Sequence, residues 1–529
     1  MKVGVKFEID AKNASAQIDS ELHPHIAKAI GLPSDAIISY TINKRSLDAR
    51  FKPYVKIVYQ VTAALEDSAR PRKHIMEPIE EIPRPEFHNH SGVANPLIVG
   101  AGPAGLFAAL VLAEAGAAPI VIERGKDVER RKKDIDLFFN TRQLNTESNL
   151  LFGEGGAGTW SDGKLFTRVH DPRSAFVLQE FVNAGAPPEI LYYAHPHIGS
   201  DRLPSVIANL RKRICSLGGK FIWDTTVADV EGTDKLQAIR LSNGERIDAP
   251  AAIIACGHSA RRLISTLSQR LETQMKGFQL GCRLEHPQAF INYIQFGMER
   301  PSPALGAAEY IFSTHGNERT PGATTFCMCP GGEIIPVTCK DETLATNGMS
   351  NSARNGAFAN AAIISTISPD AFDSPNEAFT FLDRLERALF QAGGSDYSCP
   401  AQMAGDFIRQ TSGRVPSRCS YRLGIRPARL DEMLPEQIAQ SIYSALLRFD
   451  KIAPGYIKYG LMVGMETRVS SPVRFIRNEQ TLSTSMQNLY IAGEGGGMAG
   501  GIMSAAIDGI RLAEKILGND TKMTYFFSK

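Results

Sequence analysis

Eighteen consecutive residues, Pro96 to Ala113, carry no charge. A run that long reaches the length of a membrane span. Gly100, Gly102, Pro103 and Gly105 interrupt it, and apolar character resumes after Glu114. A buried strand, PLIVG, followed by a buried helix, PAGLFAALVLAEAG, therefore accounts for it better. A second strand, APIVIER, ends at Glu123 and Arg124. Glu123 lies 23 positions after Gly100, about where a ribose-binding acid follows a G-x-G-x-x-G turn. Gly100 permits the tight turn, Gly102 lets the backbone approach a pyrophosphate, and Gly105 lets helix and strand pack closely. Pro103 and Ala104 open a helix whose free N–H groups and partial positive charge face the phosphates.

G-x-G-x-x-G occurs twice more, and context separates the copies. Gly153, Gly155 and Gly158, in FGEGGAGTWSDGKL, are followed by neither helix nor strand and acid. That segment reads as a ligand-facing loop, with Gly156 at its centre. Gly495, Gly497 and Gly500, in YIAGEGGGMAGGIM, have the strand and the helix, but only 29 residues remain after Gly500. They cannot complete a second nucleotide unit.

The rest of the chain suggests an α/β protein in several pieces. Residues 1–65 read as a small βαββ module: VGVKFEI, SELHPHIAKAIG, AIISYTINKRSLDAR and YVKIVYQVTA. Residues 66–92, rich in Pro, Arg, Glu and His, read as a linker. A Rossmann-like domain runs over 93–274 and returns over 471–529, with an α+β substrate domain inserted at 275–470. Within the first part, KFIWDTTVADV and LQAIRLSNGERIDA read as a β-meander turning at Asn243-Gly244. The inserted part shows helical stretches at FLDRLERALFQAG and EQIAQSIYSALLRF.

One complete nucleotide unit early and a Gly-rich strand-to-helix junction late resembles the FAD-binding fold of the glutathione-reductase class. That resemblance implies that Gly493, Glu494, Gly500, Gly501 and Ile502 return to the same cofactor. Most relatives of that class carry Asp where this chain has Glu494, which keeps the carboxylate. N–H groups around Gly501 and Ile502 would stabilise negative charge on a reduced flavin. GEGGAGTWSDGKL, HPHIGSDRL, ACGHSAR, TFCMCPGG, NGMS, METRVSSPVR and AGEGGGMAGGI occur in this order, with KRSLDAR near the start. Together they resemble the bacterial FAD-utilising dehydrogenases of unassigned substrate. The resemblance implies FAD and an oxidoreductase fold, without a substrate. Arg124, Gly156, Lys164, Val227 and Gly257 complete the expected cofactor-binding set.

Chemistry beyond the cofactor is less marked. Cys327 and Cys329 form a C-x-C on an expected strand; alternation would put both thiols on one face, as a redox pair or as inert core. Lys164 and Arg168 follow the Gly-rich loop, as cations for a reduced flavin or substrate or as solvated charges. Arg468 and Arg474 read as an anion clamp or as structural ion pairs. His195 and His197 more readily shape a turn than bind a metal, and Asp201 is expected to cap the helix at Leu203. Glu466 and His258 are acid–base candidates by residue type alone. Lys44, Arg45 and Arg50 form a basic cluster that would face solvent or touch a partner.

The chain carries 58 basic and 56 acidic residues, which disfavours a polybasic nucleic-acid binder. Its eight cysteines are too few for a disulfide framework and fit a reducing cytoplasm. The segment MKVGVKFEIDAKN lacks an apolar signal core. The expected function is a cytoplasmic FAD-dependent oxidoreductase acting on a small molecule, with Cys327, Cys329 and Lys164 as catalytic candidates. No metal is expected. No second nucleotide unit and no cysteine pair on the first flavin helix is found, so NAD(P)H would serve only as a transient reductant. The alternative is a flavin-dependent RNA-modifying or RNA-binding factor using the N-terminal module.

Overall fold

The computed structural model describes residues 1–71, 75–79, 83–317 and 320–519. At its start lie β1 (Lys2–Asp10), α1 (His23–Ile30), β2 (Ile37–Asp48) and β3 (Lys56–Leu65), with sheet order β1-β3-β2. β3 alternates buried and half-buried residues along its length, the signature of a strand with one face on a core. Ile57, Tyr59, Val61 and Ala63 form that face, and Ile26 and Ile30 of α1 are buried with them in one core.

Of the basic cluster, Lys44 and Arg50 are exposed and Arg45 is turned inward. Arg45 is 9% exposed. Its guanidinium donates to the Tyr59 hydroxyl at 3.2 Å and the Ala304 carbonyl at 2.5 Å, and pairs with Asp19 at 3.1 Å. Arg50 pairs with Asp48 at 2.6 Å. The cause is sheet-edge satisfaction: β2 is an edge strand, and its free backbone groups need partners. Arg45 N–H donates to Tyr192 O at 2.8 Å, and Ala194 N–H donates to Arg45 O at 2.9 Å.

Of the expected linker, residues 72–74 and 80–82 lie outside the described residues. Its described parts pack against the body. Gly4 and Met76 exchange backbone hydrogen bonds at 2.8 Å. Arg84 bridges Glu114 at 2.5 Å and Glu180 at 3.0 Å, and the Phe87 ring lies 5.4 Å from that of Phe176.

The expected nucleotide unit forms as β4 (Leu97–Val99), α2 (Pro103–Glu114) and β5 (Ile120–Ile122). Every residue of α2 from Ala104 to Ala113 is buried, which explains the uncharged run: a helix apolar on all sides is a core helix. Three helices follow, α3 (Val128–Thr141), α4 (Arg173–Asn183) and α5 (Leu203–Ser216), then β6 (Lys220–Ile222). The meander is shorter than expected. KFI belongs to β6, Asp224 turns the chain at φ 52°, and the meander is β7 (Val227–Gly232), β8 (Leu236–Leu241) and β9 (Arg246–Asp248). β10 (Ala252–Ile254) and α6 (Arg261–Ser268) come next.

The chain then crosses on β11 (Thr273–Met275) into a second sheet. Its elements begin with β12 (Phe278–Pro287), α7 (Gln288–Phe296), β13 (Ala323–Cys329), β14 (Gly332–Pro336), β15 (Thr346–Ser350) and β16 (Phe358–Ile367). They continue with α8 (Pro375–Ala392), β17 (Cys399–Met403), α9 (Ala404–Arg409), β18 (Ile425–Pro427), α10 (Leu430–Met433), α11 (Glu436–Ile452), α12 (Tyr456–Tyr459) and β19 (Leu461–Glu466). Six of these strands form one sheet, β13-β16-β12-β19-β17-β18. α11 lays Ile438, Ile442, Ala445, Leu446 and Phe449 on the core, an amphipathic stripe at helical spacing.

The return crossing is β20 (Val473–Phe475), antiparallel to β11. β21 (Leu489–Ile491) and α13 (Ile502–Leu517) close the described chain. β21 adds to a five-stranded parallel sheet in the order β21-β10-β4-β5-β6. Strands from both ends of the sequence thus share one sheet, and α13 packs on α2 in the same core.

One buried carboxylate gives the second sheet a pH signature. Glu285 on β12 is 2% exposed. It accepts from Ser420 N–H at 3.1 Å and from the Ser420 hydroxyl, and among the described residues no cation pairs with it. Burial pushes its pKa from 4.5 up to about 7, against the lowering by Ser420. The folded pKa lies above the unfolded one, so this group's contribution is intact below about pH 4.5 and is lost as pH rises toward 7. Glu285→Gln is expected to match wild type near pH 4.5 and exceed its stability at pH 8 by on the order of 2–3 kcal/mol. Urea denaturation at the two pH values checks this; equal stability at pH 8 contradicts it.

Candidate functional site

Ligands of open parallel sheets bind beyond the carboxyl ends of the strands, and a cavity of about 750 Å3 lies there. Val99 ends β4 and Gly100 follows it, Ile122 ends β5 and Glu123 and Arg124 follow it, Ala255 to Ala260 follow β10, and Ala492 to Glu494 follow β21; all line it. The backbone steps across these ends in register. Gly100 N–H donates to Ile122 O at 2.8 Å, Ala255 N–H to Val99 O at 2.7 Å, and Ala492 N–H to Ile254 O at 2.8 Å.

The three motif glycines have different surroundings. Gly100 has φ 104°, and a Cβ there would lie 2.5 Å from Ala255 O. Gly102 is the N-cap of α2 and lines the cavity with open space on its free side. Gly105 does not line the cavity. It sits behind, where a Cβ would fall inside the Gly100 carbonyl oxygen, far under the 3.0 Å at which real Cβ atoms stop. Pro103 and Ala104 complete the first turn at the cavity wall.

Glu123 is 5% exposed and faces the same space. Its Oε1 accepts from Gly125 N–H at 2.9 Å and Gly153 N–H at 3.0 Å, and its Oε2 from Ala101 N–H at 2.8 Å. A carboxylate has about four acceptor positions, so one remains free for a donor from the cavity. Arg124 forks onto Glu147 at 2.7 to 3.0 Å and stacks 3.9 Å over Phe152. Fully buried Arg131 donates to Asn149 O at 2.7 Å, Glu154 O at 2.7 Å and Gly156 O at 2.9 Å. It thereby fixes the Gly-rich loop, whose Gly156 and Gly158 line the cavity opposite Gly102 and Ile502.

Gly493, Glu494, Gly500, Gly501 and Ile502 form the far wall, with Val227 and Gly257 at its margin. Glu494 Oε1 accepts from Ser471 N–H at 2.8 Å and lies 3.2 Å from Lys276 Nζ. α13 begins at Ile502 with Gly501 as its N-cap, so its positive end borders the cavity. His258 lines the wall, and its buried Nε2 has no hydrogen-bond partner. Burial pushes its pKa down to about 4, so it is neutral at pH 7.

Other candidates lie elsewhere. Lys164, Cys327 and Cys329 do not line this cavity; Lys164 Nζ donates to the Met328 carbonyl, between the two cysteines. The expected alternation at the cysteines fails, because Cys327 has φ 43° and the pairing of β13 with β16 slips between Phe326 and Cys329. Asp201 does not cap α5. Its carboxylate accepts from Ser352 N–H at 2.6 Å and Ser352 hydroxyl at 2.8 Å, while the N-cap is Arg202 without a side-chain bond. His195 pairs with Glu309, and His197 Nε2 contacts Ser352 O at 3.1 Å. Among the described residues no three metal-ligating side chains cluster. Arg468 is buried on Glu386 at 2.6 Å, Arg474 reaches Gly497 O at 3.4 Å, and Glu466 pairs with Arg283 at 2.8 Å.

Several wall residues escaped sequence reasoning: Glu147, Thr225, Thr226, Ser242 and Arg262. Glu147 reaches the wall because Arg124 and Thr226 hold it, Thr226 at 3.0 Å. No local pattern announces that. Arg262 directly follows the ACGHSAR segment, which ends at Arg261, so its neighbourhood was signalled and its role was not.

A carboxyl-end crevice bordered by two helix N-termini defines a dinucleotide-binding α/β protein. Comparisons with known proteins name the dinucleotide: residues 94–134 match an FAD binding domain, and residues 277–469 match an FAD-dependent protein, C-terminal domain-like. Residues 6–64 match a domain of unknown function. An uncharacterised protein of Clostridium beijerinckii is 38% identical over 96% of this chain and 98% of its own length. The chain belongs to the family of that full-length relative. Solved structures similar to it include glycine oxidase from Geobacillus kaustophilus, at 12% identity and TM-score 0.35 over 81% of this chain and 95% of that one. Another is a geranylgeranyl bacteriochlorophyll reductase-like protein from Thermoplasma acidophilum, at 12% and 0.35 over 80% and 78%. Likenesses this distant carry no argument about substrate. Among the described residues no helix is long and apolar enough to cross a membrane.

Proposed function

We propose that this chain is an FAD-dependent oxidoreductase acting on a small molecule, with the flavin domain arranged as in the glutathione-reductase class. The observation that carries the reading is the convergence on one cavity of the early unit, Gly100 to Glu123, and the late junction, Gly493 to Ile502. FAD, when bound, supplies the hydride and electron chemistry, and the protein supplies orientation and electrostatics. The N-terminus of α2 holds the pyrophosphate and Glu123 the adenosine ribose. Glu494 holds the ribityl or phosphate region, and N–H groups at Gly501 and Ile502 offset negative charge on the ring.

NAD(P)H is the proposed transient reductant. It would bind transiently, because the parallel sheet carries one nucleotide unit among the described residues. Eight free cysteines support a reducing cytoplasm. The burial of Arg45 takes one of the three cations out of the cluster on which an RNA-contacting reading would rest.

The visible spectrum of the purified protein, before and after anaerobic addition of NADPH or NADH, tests the reading. Two flavin absorption bands that bleach are expected. A colourless protein that takes up no added FAD overturns the cofactor assignment. Bands that persist with both nucleotides overturn the proposed reductant and leave an organic donor to be found.

A further inference from the structure

Cys327 and Cys329 stand outside the flavin cavity, and the proposed function makes no use of them. On a straight strand, Cα atoms two residues apart lie roughly 6.7 Å from each other, at the outer limit for a disulfide. β13 is not straight there. The positive φ of Cys327 and the slip against β16 break the regular extended geometry that would hold the two residues at that spacing. Cys329 Sγ donates back to the Cys327 carbonyl at 3.3 Å. A left-handed conformation is unusual in a residue that is not glycine, and such outliers cluster at functional sites.

The surroundings are charged on both sides. Arg283 Nη2 donates to Cys327 O at 2.8 Å and lies 3.3 Å from Cys329 Sγ. Lys164 donates to the carbonyl of Met328 between them. Glu466 holds the far side of Arg283 at 2.8 Å, and Asp162 is gripped by Arg354 at 2.5 Å. Access differs sharply: Cys327 is half-buried, whereas Cys329 is sealed at 0% exposure. The neighbouring thiol and the cations lower the pKa of Cys327, and the same neighbour and burial raise that of Cys329. Cys327 is thus the more exposed residue and the activated thiol, and its neighbour is held in reserve.

We propose that Cys327 and Cys329 form a dithiol–disulfide centre for small organic disulfides, with Cys327 attacking and Cys329 resolving. The Cys327 thiolate attacks one sulfur of RSSR, forming a Cys327–SR mixed disulfide and expelling RS⁻. Cys329 then loses its proton, and its sulfur attacks Cys327 Sγ. The Cys327–Cys329 disulfide closes and the second RS⁻ leaves. Two protein thiols are oxidised, RSSR is reduced to two RSH, and the two protons end on the departing thiols. Neither step calls on the flavin, so the proposal stands or falls apart from the cofactor assignment.

Oxidised glutathione added to the reduced, full-length protein tests this, with acid quenching, alkylation and peptide mass mapping. The wild-type peptide spanning both residues is expected to lose two hydrogens and resist alkylation. Reaction at Cys327 should be at least about tenfold faster than at Cys215, because the thiolate is the reactive form; Cys215 is an exposed thiol of the same chain. In Cys329→Ser the glutathione adduct should remain on Cys327. Full alkylation of both residues, a mixed disulfide on wild-type Cys327 that never closes, pairing with another cysteine, or faster reaction at Cys215 each overturns the proposal. The wild-type readout decides the matter even if a variant fails to fold.

Discussion

Gly105→Ala is expected to cost the protein its FAD, with affinity at least about 100-fold weaker, or about 2.7 kcal/mol. A Cβ at this position would fall within the Gly100 carbonyl, under 3.0 Å. The clashing atoms are backbone, so no flexible side chain can give way. α2 cannot simply withdraw, because α13 presses on its other side: a Cβ on Gly509 would likewise collide with the carbonyl of Ala104. The helix is wedged between β4 and α13 by two glycine contacts. Any displacement of α2 moves its N-terminus, where hydrogen-bonding strength falls steeply with distance. Overpacking of this kind also costs about 1–3 kcal/mol of stability. Gly102→Ala supplies the contrast. Nothing lies within 4 Å of the added methyl, so the apoprotein should melt as wild type does, while FAD affinity falls because the methyl enters the cavity. Titration of the apoproteins with FAD, beside thermal melts, separates the two. Gly105→Ala with wild-type affinity would sink the assignment of α2 as the phosphate-binding helix.

That helix was legible in the sequence because its requirements are local. A buried helix must be apolar on every side, and a turn at φ 104° with two close backbone approaches must be glycine. The same holds at Gly493 to Ile502, where strand, turn and helix follow without interruption. Reading failed where distant chain decides. Arg45 looks like a surface cation beside Lys44, but Tyr192 to Ala194 and Ala304 cover it. KFIWDTTVADV looks like one strand, but its first residues pair in parallel with β5 and its last pair antiparallel with β8. Asp201 has the right spacing for a cap, and Ser352, 151 residues away, takes its carboxylate instead. The cysteine pair failed for a subtler reason. Alternation assumes regular pairing, and the slip against β16 is invisible in residues 323–329 alone.

Arg283→Met should be the most destabilising single change in the second sheet, by about 3–5 kcal/mol. Arg283 is 0% exposed and ties four strands together. It donates from β12 to Asn360 on β16 at 2.8 Å, to Glu466 on β19 at 2.8 Å, and to the Cys327 carbonyl on β13 at 2.8 Å. Its Nη2 also fills the space beside Gly348 on β15, where a Cβ would collide with it. Methionine can fill part of the volume and none of the bonds, leaving Glu466 buried without its cation. Burial already raises the Glu466 pKa from 4.5 to about 7 against the pull of Arg283; without that pull it rises further. A folded pKa above the unfolded one means that the native state holds the extra proton, so stability falls as pH climbs from about 4.5 through the folded pKa. The deficit of Arg283→Met relative to wild type should therefore be larger at pH 8 than at pH 5. Arg283→Met combined with Glu466→Gln should recover more than about 1 kcal/mol at pH 8, because the remaining partner no longer carries charge. Urea denaturation of the three proteins at both pH values measures all of this. A single variant within about 1 kcal/mol of wild type at pH 8, or a deficit that ignores pH, would show that Glu466 finds another partner and that the sheet does not depend on Arg283.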